Sequence, residues 1–312
     1  MNTQGNDHLL NMSKTIRLIM KRTLQLLVLL TVTALLLIQC NVLWLPPKKY
    51  QLKSQVTLQP PVMTLGEYTS TGLINTHPRP YIYIIESKKT KGSVMVFGAE
   101  HTFDPGHKQF PVMKESWDTF NPTIAMVEGN LDLILTWFFN PVKASGEGGY
   151  TQKMARSKGI KLYSWEAGLD AEMDYVLEKF DPAHIAVFYC LRPYQNKWGQ
   201  FSKSEQNKKM ENLISERTNY KTLKGVINSV EQVDSLWKAD FPDLPGWRTY
   251  KHPENGWPEG RLKQIAAETN MVRDVNMCRA IIELVSKGER VFISMGSSHA
   301  PRIERTLKEM IQ

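Results

Sequence analysis

The chain has 312 residues, 42% hydrophobic and 22% charged, with a formal net charge of +8, enough for one sizeable core beside an N-terminal apolar stretch. The positive excess is local: residues 1–53 hold Lys14, Arg17, Lys21, Arg22, Lys48, Lys49 and Lys53 against Asp7, while the other 259 residues carry 32 positive and 30 negative groups. With no basic helix, zinc finger or aromatic RNP pattern, this charge excludes a nucleic-acid partner and reads as attraction to lipid headgroups.

Residues 24–45 run 22 positions without a charge, roughly 33 Å as a helix against a hydrocarbon core of about 30 Å. The core is too long for a cleavable signal, and Gln39 before Cys40 is not the small residue a lipoprotein cut requires. The expectation is a retained single-pass anchor, with residues 1–23 as a cytoplasmic basic tail and the body outside the cytoplasm; a cleaved or lipidated signal is the other reading. The polar, Pro-bearing residues 46–80 then read as a tether, and residues 81–312 as the folded domain.

Within that domain, residues 81–86 and 93–97 read as a hairpin across the turn-prone segment 87–92. Residues 123–127 and 160–165 are further strand-length apolar runs, with a helix expected between them over 149–157. A helical pattern on Met173, Val176, Leu177 and Phe180 stops at Asp181-Pro182. Met271, Val275, Cys278, Ile282 and Val285 form an apolar seam on a later helix, followed by a strand over 291–295 and a short helix opening at Pro301. The alternation predicts an α/β fold: a central mixed sheet, flanking helices and one N-terminal transmembrane helix. Two segments interrupt it. Residues 196–224 are polar and Lys-rich, an exposed helix; residues 237–260 hold three Trp, four Pro and three Gly, an irregular insert that packs on the body or covers a cleft. Cys190 and Cys278 lie in apolar stretches as free thiols, and no Cys/His cluster suggests structural zinc.

The most informative feature is an internal echo. Val94-Met95-Val96-Phe97-Gly98-Ala99-Glu100-His101 and Phe292-Ile293-Ser294-Met295-Gly296-Ser297-Ser298-His299 are both four apolar-rich residues followed by Gly-x-x-His, 198 positions apart. The glycine is expected to turn the chain as it leaves the strand, placing an imidazole at the strand's carboxyl end, where open α/β sheets bind ligands. Two other runs end in carboxylates, at Glu128 and Glu166, whose burial without a partner would be costly. If the four strands are parallel neighbours, His101, Glu128, Glu166 and His299 converge. Two imidazoles and two carboxylates suit a divalent transition metal, Zn²⁺, Mn²⁺ or Co²⁺, with Glu128 or Glu166 also available as a general base. Glu100 and His107 are rival ligands. Arg273, off the seam of its helix, either holds a carboxylate or oxyanion at the site or makes an exposed salt bridge.

These motifs and their order resemble the TraB/GumN/Tiki family over residues 93–312. Gly98-Ala99-Glu100-His101 matches the first GxxH, Val127-Glu128 the following glutamate, Trp165-Glu166 the later glutamate-bearing strand, Arg273-Asp274 the arginine near the late helix, and Gly296-Ser297-Ser298-His299 the second GxxH. The resemblance implies a membrane-anchored, metal-dependent hydrolase, a peptidase first, acting on a peptide or on a small ester or amide. The wider superfamily also resembles erythromycin-esterase-like hydrolases and a haem-binding lipoprotein group, which implies the alternative of a noncatalytic metal or haem-binding module. The insert at 237–260 and the N-terminal anchor depart from the animal branch. Oligomeric state is left open by the sequence.

Overall fold

A computed structural model describes residues 4–194, 201–250 and 256–312. The chain opens with α1 (Gln4–Gln39), in which Ile19–Gln39 is long and apolar enough to cross a membrane. The helix stops six residues before Leu45, short of the expected end, because Asn41 adopts a left-handed φ of 58°. The Asn41 amide then donates to Ile38 O and the Val42 amide to Leu37 O, the paired bonds of a Schellman stop. Hydrophobicity continues past this point for a different reason: Val42 and Trp44 are buried, and β1 (Leu43–Trp44) pairs antiparallel with Ile134 and Leu135.

Residues 46–80 are not a tether. β2 (Lys48–Lys49) lies parallel against Tyr163 and Ser164 at a sheet edge. The extended chain beyond it, which as a free linker would leave its backbone to water, is satisfied by side chains instead: Glu283 accepts from the Lys53 amide at 2.9 Å, Arg279 donates to Val56 O at 3.0 Å, and Arg302 donates to Met63 O at 3.0 Å. α2 (Leu65–Ser70), opened by a Thr64/Glu67 capping box, and the single turn α3 (Leu73–Thr76) complete the wrap. Its polar, Pro-bearing composition is that of a spacer; the side chains that hold the segment beyond β2 lie more than 200 positions away.

The domain proper follows the expected alternation. β3 (Tyr81–Glu86) and β4 (Ser93–Ala99) form the hairpin, followed by α4 (Gln109–Phe120), β5 (Ile124–Val127) and β6 (Ile134–Leu135), the partner of β1. Next come α5 (Pro141–Ser157) and β7 (Lys161–Ser164). The helical insert comprises α6 (Leu169–Leu177), α7 (Pro182–Leu191), α8 (Lys203–Arg217) and α9 (Val230–Asp240), and the chain closes with α10 (Arg261–Ser286), β8 (Arg290–Gly296) and α11 (His299–Ile311). The sheet order is β2-β7-β5-β8-β4-β3, parallel throughout except for β3. The four strands that end in the candidate residues are therefore parallel neighbours.

Both faces of β4, β5 and β8 are covered, which is why they read as continuous apolar runs. Val94, Val96, Met126 and Ile293 pack under α10 and α11, and Met95, Phe97, Ala125 and Phe292 under α4 and α5. The insert has its own core, in which Trp237, Trp247 and Trp257 pack with Phe188, Met210 and Ile265. Of the Trp/Pro-rich stretch, Trp237 to Asp240 is helical, against the expectation of wholly irregular chain, because Ser229 caps α9 and Trp237 falls on its buried face. Residues 251–255 of that stretch, and 195–200 of the Lys-rich segment, lie outside the described residues. Cys190 and Cys278 are free and buried, as expected.

Glu283 on α10 fastens the wrap, accepting from the Tyr50 hydroxyl at 2.9 Å and pairing with Lys287 at 2.5 Å. Burial raises this carboxyl, but Lys287, the Lys53 amide and Tyr50 outweigh it and hold it at about 2, below the ordinary 4.5. A carboxyl depressed by folding contributes stability that is complete above its unfolded value and fades as pH falls through its folded one. Glu283→Gln should cost about 1–2 kcal/mol at neutral pH. Thermal melts of both proteins in detergent should converge as pH falls from about 4.5 to about 2.

Candidate metal centre

The two GxxH motifs meet because β4 and β8 are neighbours, with Ala99 opposite Gly296 and Gly98 opposite Met295. The glycines do not turn the chain as expected: both remain within their strands, and neither has a positive φ. They are needed for close approach. A Cβ on Gly98 would lie 2.7 Å from the Cβ of Ala300, the residue after the second histidine. A Cβ on Gly296 would lie 2.6 Å from His101 Nε2. Each motif's glycine thus clears space for the far end of the other motif, and the echo in sequence is one steric joint in space.

Around that joint three donors converge. His101 Nδ1 lies 2.7 Å from Glu147 Oε1. Glu128, directly after β5, accepts from the Gly296 amide at 2.7 Å on one oxygen and from Arg273 at 2.9 Å on the other. One ligand atom from each of His101, Glu128 and Glu147 falls within 4.8 Å of the others. Glu147 was not anticipated, since the helix was expected to begin only at 149. In fact α5 begins at Pro141, capped by Asn140, and kinks where Gly146 takes a φ of 53°. Glu147 follows the kink directly, so the break re-aims the helix at the residue that delivers the carboxylate. The signal in sequence is the carboxylate set among Gly146, Gly148 and Gly149: a Cβ on Gly149 would meet Pro141 O at 2.0 Å.

The other expected ligands are held differently. Arg273, a buried residue on α10, takes Glu166 in a two-point grip, Nε to Oε2 and Nη2 to Oε1, both at 2.7 Å. The same Nη2 reaches Glu128, and the guanidinium lies 5.2 Å from the Trp165 ring centre. Of the two sequence readings of Arg273, the buried carboxylate clamp is the one observed. Glu166 also accepts from the Gly129 amide at 2.9 Å and lies outside the three-donor group. His299, the first residue of α11, has Nδ1 2.5 Å from Asp274, which is fully buried and paired with Arg302 at 2.9 Å. Its Nε2 lies 3.7 Å from Glu128 Oε1, at the margin of the group rather than in it. Glu100 and His107 do not join either. The backbone of Glu100 is bracketed by the Gln109 amide group, and His107 Nδ1 accepts from the Gln109 amide.

The electrostatics favour positive charge at the donors. Burial raises Glu128, yet His299, Arg273, His101 and the Gly296 amide together bring it down to about 2. The hydrogen bond to Glu147 lifts His101 to about 9. On the far side of the Arg273–Glu166 pair, a cleft of about 800 Å³ separates the sheet from the insert, its wall including Lys49, Glu172, Arg192, Arg217 and Tyr220. None of the described residues of the Trp/Pro-rich stretch lines it, and Trp237, Trp247 and Trp257 are packed in the core of the insert, so of the two expected roles packing on the body is the one these residues show. No family model, curated protein or solved structure matches the chain.

The reciprocal glycines should separate stability from binding. At Gly98 the intruding Cβ meets packed groups, so Gly98→Ala should cost about 1–3 kcal/mol. At Gly296 it meets an exposed imidazole that can swing away. Gly296→Ala should therefore melt close to wild type while Co²⁺ affinity, read from visible absorption, falls about 10–100-fold.

Proposed function

We propose that this chain is a membrane-anchored, metal-dependent hydrolase, acting first on peptide bonds. The observation that carries the reading is the convergence of His101, Glu128 and Glu147 at the carboxyl edge of four parallel strands. One imidazole and two carboxylates accept Zn²⁺, Mn²⁺ or Co²⁺ alike. The local charge fits a cation too: Glu128, Glu147 and Glu166 face Arg273 and the His101 proton, Asp274 and Arg302 pair with each other, and an ion bound by His101 would take that proton's place. An imidazole held protonated to about 9 marks a place where positive charge is favoured. A bound divalent ion supplies Lewis acidity and a water acidified toward neutral pH.

The chain's own residues then divide the work. His101, Glu128 and Glu147 would hold the ion, and Arg273 fixes Glu128 and Glu166 in place. Asp274 engages His299 Nδ1 and leaves Nε2 facing the site, where it holds or gives up a proton beside Glu128. The cleft beside Arg273 offers room for several residues of an extended substrate. The ordered motifs of the TraB/GumN/Tiki family support the same reading, and a noncatalytic metal or haem-binding module is the second. The apolar Ile19–Gln39 and the basic residues ahead of it support a single-pass anchor with the body outside the cytoplasm.

Elemental analysis of the purified full chain, paired with cleavage of a peptide library, tests the reading. The wild type should carry metal and cleave; His101→Ala and Glu147→Gln should lose both properties. His299→Asn should keep its metal and lose cleavage by about 10²-fold or more. Stoichiometric metal without cleavage of any peptide or ester would favour the binder. A reporter active only in the cytoplasm, fused after Gln312, should be silent; an active fusion reverses the topology.

A further inference from the structure

Three consecutive aromatic side chains stand in solvent on an otherwise well-packed body: Trp137, Phe138 and Phe139, at 70%, 74% and 60% exposure. Exposing one such residue is ordinary; three in a row mark a surface that meets something apolar. Their position identifies what. The residue before them, Thr136, donates through both its amide and its hydroxyl to Val42 O, at 2.9 and 3.0 Å. Val42 is only three residues past the last residue of the apolar span. Three residues of chain reach about 10 Å at most, and the headgroup zone on each side of the hydrocarbon core is about 5–8 Å deep. The aromatic triplet is thus pinned by β1–β6 pairing beside the point where the span leaves the membrane. Trp is the residue most at home in that zone, with an apolar ring and a polar N–H. Leu45, at 43% exposure on the chain leaving β1, adds to the apolar character there.

We infer that Trp137, Phe138 and Phe139 form a second membrane contact, seated in the interfacial zone of the same leaflet from which α1 emerges. This rests on the reading of Ile19–Gln39 as a membrane span but not on any catalytic role. The occupant is the lipid headgroup–acyl boundary, not a second copy of the chain. The contact also bears on the metal centre: the triplet leads straight into α5 through its cap Asn140, and Glu147 follows the kink at Gly146 in that helix. A body held at two points of the surface presents its site to membrane-embedded or juxtamembrane substrates.

The full chain, reconstituted in vesicles of zwitterionic and anionic phospholipid, provides the test. Subtracting the fluorescence of Trp137→Phe from that of the wild type isolates the signal of one exposed indole, and the conservative change at a solvent-facing position preserves the fold. Lipids brominated near the carbonyl should quench this signal about twofold more than lipids brominated near the chain ends, the depth expected of an interfacial Trp. A difference signal that aqueous iodide quenches and neither lipid affects would overturn the proposal. Shielding from iodide and from both lipids, with cross-linking between chains, would assign the triplet to a second copy and overturn it equally. A chain stripped from the vesicles by alkaline carbonate would overturn the span itself, and this contact with it.

Discussion

The geometry of the site depends on one buried cation. Arg273 has two carboxylates within 2.9 Å and almost no access to water. A guanidinium in that position is tolerable only because two carboxylates face it, and in turn it helps to hold Glu128 ionised. Its neighbour carries the opposite charge: Asp274 holds His299 and Arg302. Two successive residues on α10 therefore orient side chains that follow β5, β7 and β8. The strands place the groups at one edge, and the α10 pair decides which of them face inward. Glu166, expected among the ligands, takes both points of the Arg273 grip and lies outside the group formed by His101, Glu128 and Glu147.

Much of this was legible in sequence, for physical reasons that can be named. Doubly buried parallel strands must be apolar on both faces, so β4, β5 and β8 stand out as runs, and the residue ending each run is placed at the sheet's carboxyl edge. His101, Glu128 and His299 follow from that rule, and Glu166 follows the shorter, half-exposed β7 beside them. What the rule lacks is rotation. It cannot distinguish a carboxylate aimed at the site from one turned toward a helix that arrives a hundred residues later. Glu147 escaped because a helix kink delivered it, and glycine-flanked carboxylates resemble loop. The glycines of GxxH were singled out correctly, but turn propensity was the wrong property; what matters is the missing Cβ between two crossing motifs.

The 46–80 segment shows a different blind spot. Its composition is that of a spacer, and spacers are recognised by having no hydrogen-bond partners of their own kind. Here the partners are side chains of α10 and α11, so the segment is ordered by residues remote in sequence. The tryptophans of the insert were legible as packed residues from their number alone, yet the helix that carries Trp237 depended on a serine cap rather than on composition.

The stop at Asn41 turns the end of α1 into a rigid elbow. A flexible linker would let the body swing freely at the end of α1; a stop bonded to Ile38 and Leu37 and continued directly into β1 restrains it. Should Ile19–Gln39 cross a membrane, its length becomes a ruler. Each residue added to or removed from it would shift the body by about 1.5 Å along the membrane normal and rotate it by about 100° relative to the far end of the helix. Segment length, usually treated as a matter of fitting hydrocarbon thickness, would in this chain also set the elevation and bearing of everything carried above the membrane.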